Sequence, residues 1–309
     1  ALLATGIGPG DEVLVPSLTF VATANAARYV DARPVFVDID SRYWSIDPDL
    51  VASKITNKTR AIVPVHLYGH SADMAPILDI AKERDLIVIE DAAEAHGAEY
   101  RGSPVGALGR AGIFSFYGNK ILTTGEGGML ITNDAAVAER ARRFRDHGAD
   151  PERRYWHSQI GYNYRMTNLQ AALGLAQLEQ LDVFISRKRE IAQLYRRYLG
   201  EASGLTFQAI MDWASPVYWM VSLLVKPGDR VNRDMLMRSL EALGIETRPF
   251  FSPIHMLPPY EQPSVRCPVA ERTASLGLSL PSGASLKDGE VEQVATAVLE
   301  ICSKGPKPG

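Results

Sequence analysis

A single lysine stands in a glycine-punctuated loop between two short apolar runs. Residues 112–128 read GIFSFYGNKILTTGEGG, and Lys120 is the one basic residue among them. The apolar run before it is typical of a buried strand that ends near Tyr117, and glycine lets a bound group approach the main chain closely. An amine held at a strand end can form a Schiff base with a carbonyl compound. A lysine on a surface turn fits the same pattern, so the loop alone leaves both interpretations open.

A carboxylate follows another predicted strand. Residues 86–89 (LIVI) form an aliphatic run typical of a central strand buried on both faces, and Asp91 comes just after it. A carboxylate there needs a cation or a strong donor, and the ring nitrogen of pyridoxal phosphate is such a group. The alternative is that Asp91 caps a following helix. Glu94 lies over the same ring or is a solvated acid in a first helical turn.

Two further side chains could complete a cofactor site. Ser115, on the strand before Lys120, offers a hydroxyl to a phosphate, or bonds to the main chain as a buried serine. Phe20 opens a predicted helix just after a strand. An aromatic ring there can stack on a cofactor ring, although most such residues belong to the core.

The elements that position these residues alternate between strand and helix. This alternation predicts an α/β fold with a mostly parallel open sheet, and ligands bind such sheets outside the carboxyl ends of the strands. A single long helix is predicted from about Thr167 to Leu199, followed by a smaller α+β unit. We therefore expect a large domain over 1–200, ending in this bridging helix, and a small domain over 201–309.

Composition excludes several classes of function. The 309 residues carry a net charge of -3, which indicates no general attraction to nucleic acid or to an anionic membrane. No run is long and apolar enough for a membrane span. Two lone cysteines predict neither a disulfide framework nor a metal site and fit a cytoplasmic protein. The chain begins ALLA without methionine, so we expect that an N-terminal portion is missing.

Three motifs, in this order and spacing, resemble one family. EDAAEAHGA, FSFYGNKILTTGEGGM and GYNYRMTNLQAA resemble the DegT/DnrJ/EryC1/StrS family of sugar-nucleotide aminotransferases. The resemblance implies the architecture of fold type I pyridoxal-phosphate-dependent aminotransferases. PVHLYGH, RRYW and RPFFSPIHMLPPY further resemble the branch that forms GDP-perosamine.

The resemblance implies a role for each candidate at the cofactor. Lys120 would hold pyridoxal 5'-phosphate as a Schiff base, and Asp91 would meet the pyridine nitrogen. Glu94 and Phe20 would flank the ring on opposite sides, and Ser115 would bind the phosphate.

The resemblance also implies partners and substrates. Asn163 and Arg165 would reach the phosphate region of the neighbouring subunit, so the expected unit is a homodimer with shared active sites. His255 would lie near the sugar nucleotide. L-Glutamate is the expected donor, GDP-4-keto-6-deoxy-mannose the acceptor and GDP-perosamine the product.

Other interpretations are weighed against these. Family members carry a further segment before this start, with a turn that cradles the phosphate at a helix N-terminus. Without it, a non-enzymatic regulator that retains the fold is an alternative. A sugar dehydratase of the same family would carry histidine in place of Lys120. A nucleotide-dependent oxidoreductase has only the glycines at 6, 8 and 10 in its favour, and they precede a strand rather than follow one.

Overall fold

The computed structural model describes residues 1–226, 231–262 and 264–304. The strands are β1 (Glu12–Pro16), β2 (Arg33–Val37), β3 (Thr59–Ile62), β4 (Ile87–Asp91), β5 (Glu99–Tyr100), β6 (Ser103–Pro104), β7 (Ala111–Ser115), β8 (Gly128–Ile131), β9 (Leu205–Phe207), β10 (Ala214–Ser215), β11 (Val221–Val225), β12 (Arg248–Pro249) and β13 (Gly277–Leu280). The helices are α1 (Leu2–Thr5), α2 (Ala22–Arg28), α3 (Pro48–Lys54), α4 (Met74–Glu83), α5 (Ala135–Arg145), α6 (Asn168–Leu178), α7 (Leu181–Leu199), α8 (Arg233–Glu241), α9 (Pro268–Leu276) and α10 (Asp288–Lys304). No helix in these ranges has both the length and the apolarity to cross a membrane.

A six-stranded sheet of order β2-β1-β3-β4-β7-β8 forms the larger layer. Every neighbouring pair runs parallel except β7 and β8, which are antiparallel. All five residues of β1 are buried, as expected of a strand covered on both faces. The predicted mostly parallel sheet is confirmed, and it brings the ends of β4 and β7 to one edge.

The next-to-last residue of β4, Glu90, is a buried carboxylate that does not face this edge. Glu90 is fully buried, and its oxygens accept hydrogen bonds from the main-chain N–H groups of Gly106, Leu108 and Gly109, each at 2.7 Å. His66 Nε2 lies 3.1 Å from Glu90 Oε2. Burial opposes the charged form, but these hydrogen bonds outweigh it and lower the pKa of Glu90. The carboxylate therefore fixes the loop that leads into β7.

A three-stranded antiparallel sheet has the order β10-β5-β6. A separate four-stranded antiparallel sheet has the order β12-β13-β11-β9. The second half of α7 packs against it, with Ile191, Tyr195 and Leu199 in its core. Strand β11 begins at Val221, three residues after Tyr218, which lies in the left-handed region at φ 51°.

The single helix predicted from Thr167 to Leu199 is wrong. The chain forms α6 and α7 with a break at Gln180, where φ is -111° and ψ is 8°. No residue of α6 is buried, whereas α7 buries one face. Residues 179 and 180 (EQ) are good helix formers, so the local sequence does not explain the break. We attribute it to the different packing of the two helices, since only α7 buries a face within the chain.

One hydrophobic core joins the first and the last third of the chain. Trp219, Phe250, Ile254 and Tyr260 pack in one cluster with residues of β1 and α2. The Trp44 and Phe250 rings lie edge to face at 5.1 Å. The division at residue 200 stays a prediction, and this shared core crosses it.

Candidate active site

A cavity of about 1960 Å³ opens where β4 and β7 end. Five of the sequence-predicted residues line it together, namely Phe20, Asp91, Glu94, Ser115 and Lys120. Arg165 also lines it, from the segment before α6. The carboxyl ends of parallel strands thus form the site, as the sheet topology requires.

Lys120 stands in the loop between β7 and β8 and points into the cavity. Its main-chain N–H donates to the Tyr117 carbonyl at 3.0 Å, which closes a turn. Its Nζ lies 3.6 Å from Glu94 Oε1 and 3.7 Å from the centre of the Trp219 ring. Burial lowers the pKa of Lys120, while the charges of Glu94 and Asp91 oppose that shift. A buried amine with a lowered pKa is suited to nucleophilic and proton-transfer chemistry.

Glu94 is the buried carboxyl beside this amine. Its Oε2 accepts a hydrogen bond from the Tyr68 main-chain N–H at 2.8 Å. Burial raises the pKa of Glu94 to about 7, although the nearby Lys120 and the Tyr68 N–H both favour the charged form. Glu94 and Lys120 are therefore both shifted toward their neutral forms.

Asp91 is the last residue of β4 and is held by a hydroxyl. Thr23 Oγ1 donates to its Oδ2 at 2.7 Å, and the Ala93 N–H donates to its Oδ1 at 3.2 Å. Residues 92–97 form turns, so the alternative role of Asp91 as a helix cap is wrong. The carboxylate remains available to a cationic partner in the cavity.

Ser115 and Phe20 lie on either side of the cavity. Ser115 ends β7, and its Oγ accepts a hydrogen bond from the Tyr117 N–H at 3.2 Å. Phe20 is 55% exposed, and its ring lies 5.6 Å from the Phe251 ring. A large exposed aromatic ring in a cavity is a surface on which a flat ligand can stack.

Asn163 and Arg165 stand on the exposed segment that leads to α6. Asn163 forms a main-chain bridge with Asp146, and Arg165 Nη1 lies 3.3 Å from Asp146 Oδ2. The Arg165 side chain keeps 65% of its surface exposed. Their role at a neighbouring subunit's site stays a prediction.

His255 lies apart from the residues that line this cavity. Its Nδ1 is 2.6 Å from Ser17 Oγ, and its Nε2 is 3.1 Å from Glu271 Oε1. Both ring nitrogens are used inside the chain, so the structure lends no support to the predicted contact with a sugar nucleotide. Ser17 is fully buried and His255 is 3% exposed, so neither side chain is open to a substrate. Arg248 and Phe251 line the cavity from this part of the chain instead.

Sequence reasoning missed three residues of the site. Thr23 follows Phe20 by one helical turn, and that spacing on a helix starting at a strand end is a signal that could have found it. Tyr68 acts through its main-chain N–H, and Trp219 comes from a distant part of the chain. The sequence carries no local signal for either contact.

The donor set fits pyridoxal phosphate. An amine, two carboxyl groups and two hydroxyls converge on one cavity with an exposed aromatic ring, through Lys120, Glu94, Asp91, Thr23 and Ser115. Schiff-base formation needs the amine, and a pyridinium nitrogen needs the carboxylate.

Comparison with known proteins agrees with this geometry. A family model described as the DegT/DnrJ/EryC1/StrS aminotransferase family matches residues 1–299. The chain is 47% identical over 303 residues to GDP-perosamine synthase from Escherichia coli O157:H7, which covers 98% of this chain and 82% of that relative. The X-ray structure of S. venezuelae DesV in complex with a ketimine intermediate matches with a TM-score of 0.92 at 38% identity, covering 98% of this chain and 81% of DesV. The PLP form of Spr1654 from Streptococcus pneumoniae matches with a TM-score of 0.91 at 26% identity, covering 98% and 83%.

Proposed function

The chain belongs to the DegT/DnrJ/EryC1/StrS aminotransferase family, and on that premise we propose that it moves the amino group of L-glutamate to GDP-4-keto-6-deoxy-mannose, forming GDP-perosamine. It is a transaminase with the fold of the type I pyridoxal-phosphate enzymes, and its cofactor is pyridoxal phosphate. The donor and the exact acceptor are the parts proposed. The observation that carries the proposal is the Lys120 amine, held between a buried carboxyl and an indole ring at the strand-end edge.

Each side chain has a task that follows from its surroundings. The bound cofactor supplies an electron-accepting ring that stabilises negative charge on the substrate carbon. Lys120 Nζ is the base that takes the proton from that carbon and the acid that returns it, because burial makes its neutral form accessible. Asp91, oriented by Thr23, would meet the ring nitrogen of the bound cofactor and favour its protonated form.

The remaining groups bind and exclude water. Phe20 and Phe251 offer aromatic faces to the flat cofactor ring, and Ser115 offers its hydroxyl to the phosphate. Glu94, with a pKa of about 7, can hold or release a proton next to Lys120 at neutral pH. A dehydratase is disfavoured, since the family's dehydratases are expected to replace this lysine by histidine.

We also infer that the protein acts as a homodimer. Helix α6 leaves Leu169, Leu173, Leu175 and Leu178 from 48 to 84% exposed, so apolar side chains meet solvent on more than one side of the helix. It directly follows the segment with Arg165 at the cavity rim. A second copy that covers α6 would bring that segment to its partner's cavity. The cytoplasmic setting stays a prediction from the two cysteines, both of which are free.

The proposal is tested by transfer from L-glutamate to a panel of keto-sugar nucleotides that differ in base and sugar. Purified protein with pyridoxal phosphate should prefer the GDP-linked acceptor. Lys120→Ala should reduce turnover by at least about a thousandfold, because it removes the general acid and base. The exposed Lys82→Ala variant on α4 is the matched control and should keep full activity. Normal turnover by Lys120→Ala would contradict the proposal.

A further inference from the structure

Lys188 is a buried cation on α7 that the reaction itself does not use. The residue is 5% exposed, and its Nζ donates to the carbonyls of Trp219, at 2.8 Å, and Ser282. Among residues 1–226, 231–262 and 264–304, no carboxylate forms an ion pair with it. Burial lowers its pKa to about 7. Burying an amine without an acidic partner costs free energy of desolvation, so the presence of a lysine at this position calls for an explanation.

These hydrogen bonds tie three elements together at one point. Lys188 lies on α7, Trp219 precedes β11, and Ser282 follows β13. The hydroxyl of Ser282 is 3.4 Å from Lys188 Nζ and accepts a hydrogen bond from the Val221 N–H at 3.3 Å. The main chain from Trp219 to Val221 is therefore fixed with respect to α7.

Trp219 carries this constraint to the reacting amine. Its indole N–H donates to the carbonyl of Asn119, the residue before Lys120, at 2.7 Å. Its main chain packs so closely on Gly69 that a Cβ there would lie 2.8 Å from the Trp219 nitrogen. Its ring faces Lys120 Nζ at 3.7 Å from the centroid. The indole N–H, the main-chain nitrogen and the ring of Trp219 thus each contact a different residue, and Lys188 is the donor to its carbonyl.

We propose that Lys188 is a positioning residue that anchors the Trp219 main chain, so that the indole face stays against the amine of Lys120. The aromatic face attracts an ammonium group and stabilises it relative to the neutral amine. Lys188 thereby raises the proton affinity of Lys120, through its hydrogen bond to the main-chain carbonyl of Trp219. The proposal rests on the proposed function only for the importance of Lys120, because the contacts exist in the chain itself.

The test measures the proton affinity of Lys120 in cofactor-free protein. Competitive labelling with acetic anhydride across pH, read by mass spectrometry of the Lys120 peptide, gives the pKa of that amine. Trp219→Leu keeps an apolar side chain and removes the ring, so the pKa of Lys120 should fall by about half a unit. Lys188→Met keeps the chain length and removes the anchor, and it should cause a fall in the same direction.

Two comparisons separate positioning from a general loss of stability. Arg187→Met removes a neighbouring contact of α7, to the Leu286 carbonyl and Asp288, and should leave the pKa of Lys120 unchanged. In the Trp219→Leu background, Lys188→Met should cause no further fall. An unchanged pKa in Lys188→Met, or a fall that persists without Trp219, overturns the proposal.

If Lys188→Met does not fold, Lys188→Gln keeps one donor and should give a smaller fall in the same direction. No change in Lys188→Gln also overturns the proposal. Failure of the transaminase assignment would appear separately, as normal turnover in Lys120→Ala, while the labelling result would stand.

Discussion

Glu94 and Lys120 form a buried acid–base pair whose members both tend toward neutrality. Their side chains are only 4 and 11% exposed, and 3.6 Å separates Oε1 from Nζ. Burial acts on both in the direction that removes charge, raising one pKa and lowering the other. In the absence of cofactor the pair is therefore a source of instability that the fold tolerates at its site.

We expect Glu94→Gln to stabilise the cofactor-free protein above neutral pH. The folded pKa of Glu94, about 7, lies above the value in an unfolded chain, so its stabilising contribution is complete below about pH 4.5 and is lost as pH rises through 7. The variant lacks this loss and should be more stable at pH 8 by about 3 kcal/mol. Urea unfolding at several pH values measures the difference.

Glu152→Gln, on an exposed loop, is the control for this prediction and should follow the wild type at every pH. A Glu94→Gln protein whose unfolding free energy parallels the wild type from pH 4.5 to 8 would show that Glu94 carries no such shift.

Among single residues, those that belong to compact sequence motifs could be predicted as parts of the site. Lys120 and Asp91 each follow a predicted strand and Ser115 lies on one, all within recognisable motifs, and the structure places all three in one cavity. The contacts of Trp219 and of the Tyr68 N–H were not predicted, because they depend on packing between distant parts of the chain. The predicted contact of His255 with a sugar nucleotide stays a prediction. A histidine in a proline-rich stretch gives no sign that its ring nitrogens lie against Ser17 and Glu271.

Among the elements, α6 is notable because it is a helix with a capping box and no buried side chain. Thr167 Oγ1 accepts a hydrogen bond from the Gln170 N–H, and the Gln170 side chain accepts one from the Thr167 N–H, so the start of the helix is locally specified. A short helix needs packing as well as caps to be stable in water. The packing that α6 lacks within this chain is what the proposed second copy would supply.

Leu169→Glu should therefore weaken the dimer by at least about a hundredfold, because the interface would have to bury an unpaired carboxylate. Leu169 is 84% exposed in the single chain, so its substitution should not unfold the protomer. Leu243→Glu, at a residue 57% exposed beyond α8, is the matched control and should leave association unchanged. Sedimentation velocity measures both, and equal dimerisation of the two variants would remove α6 from the interface.

Element boundaries were predictable where local chemistry sets them. Asp47 and Asp134 cap α3 and α5 through hydrogen bonds to the next turn, as their positions in the sequence indicate. The break at Gln180 was not predictable, because no glycine, proline or cap marks it.

In the molecule as a whole, the first and last thirds of the chain share one hydrophobic core. The predicted division into domains at residue 200 does not suggest this core. The aromatic residues of the last third pack on β1 and α2, and Asp38 accepts hydrogen bonds from the N–H groups of Val269 and Ala270. Buried contacts of this kind couple the stability of the parts that share them. Hydrophobic periodicity predicts each element, but not which distant elements share a core.

We expect the cofactor-free protein to unfold in one transition. Tryptophan fluorescence, to which Trp44 and Trp219 contribute from the shared core, and far-ultraviolet circular dichroism should give the same urea midpoint. Phe250→Ala, which leaves a cavity beside Trp44, should lower that midpoint in both signals by the equivalent of about 3 kcal/mol. Two separate transitions would instead assign the N-terminal and C-terminal parts independent stability.

The carboxylate of Glu90 has a consequence for the timescale on which the loop before β7 can open. The amides of Gly106, Leu108 and Gly109 lie in a loop, where amide protons ordinarily reach solvent within local fluctuations. Here all three donate to one buried carboxylate, so releasing any of them leaves a charge without its partners. Hydrogen–deuterium exchange should therefore show these amides protected like those of β4 and β7. In Glu90→Gln, a neutral acceptor should release them at least about tenfold faster.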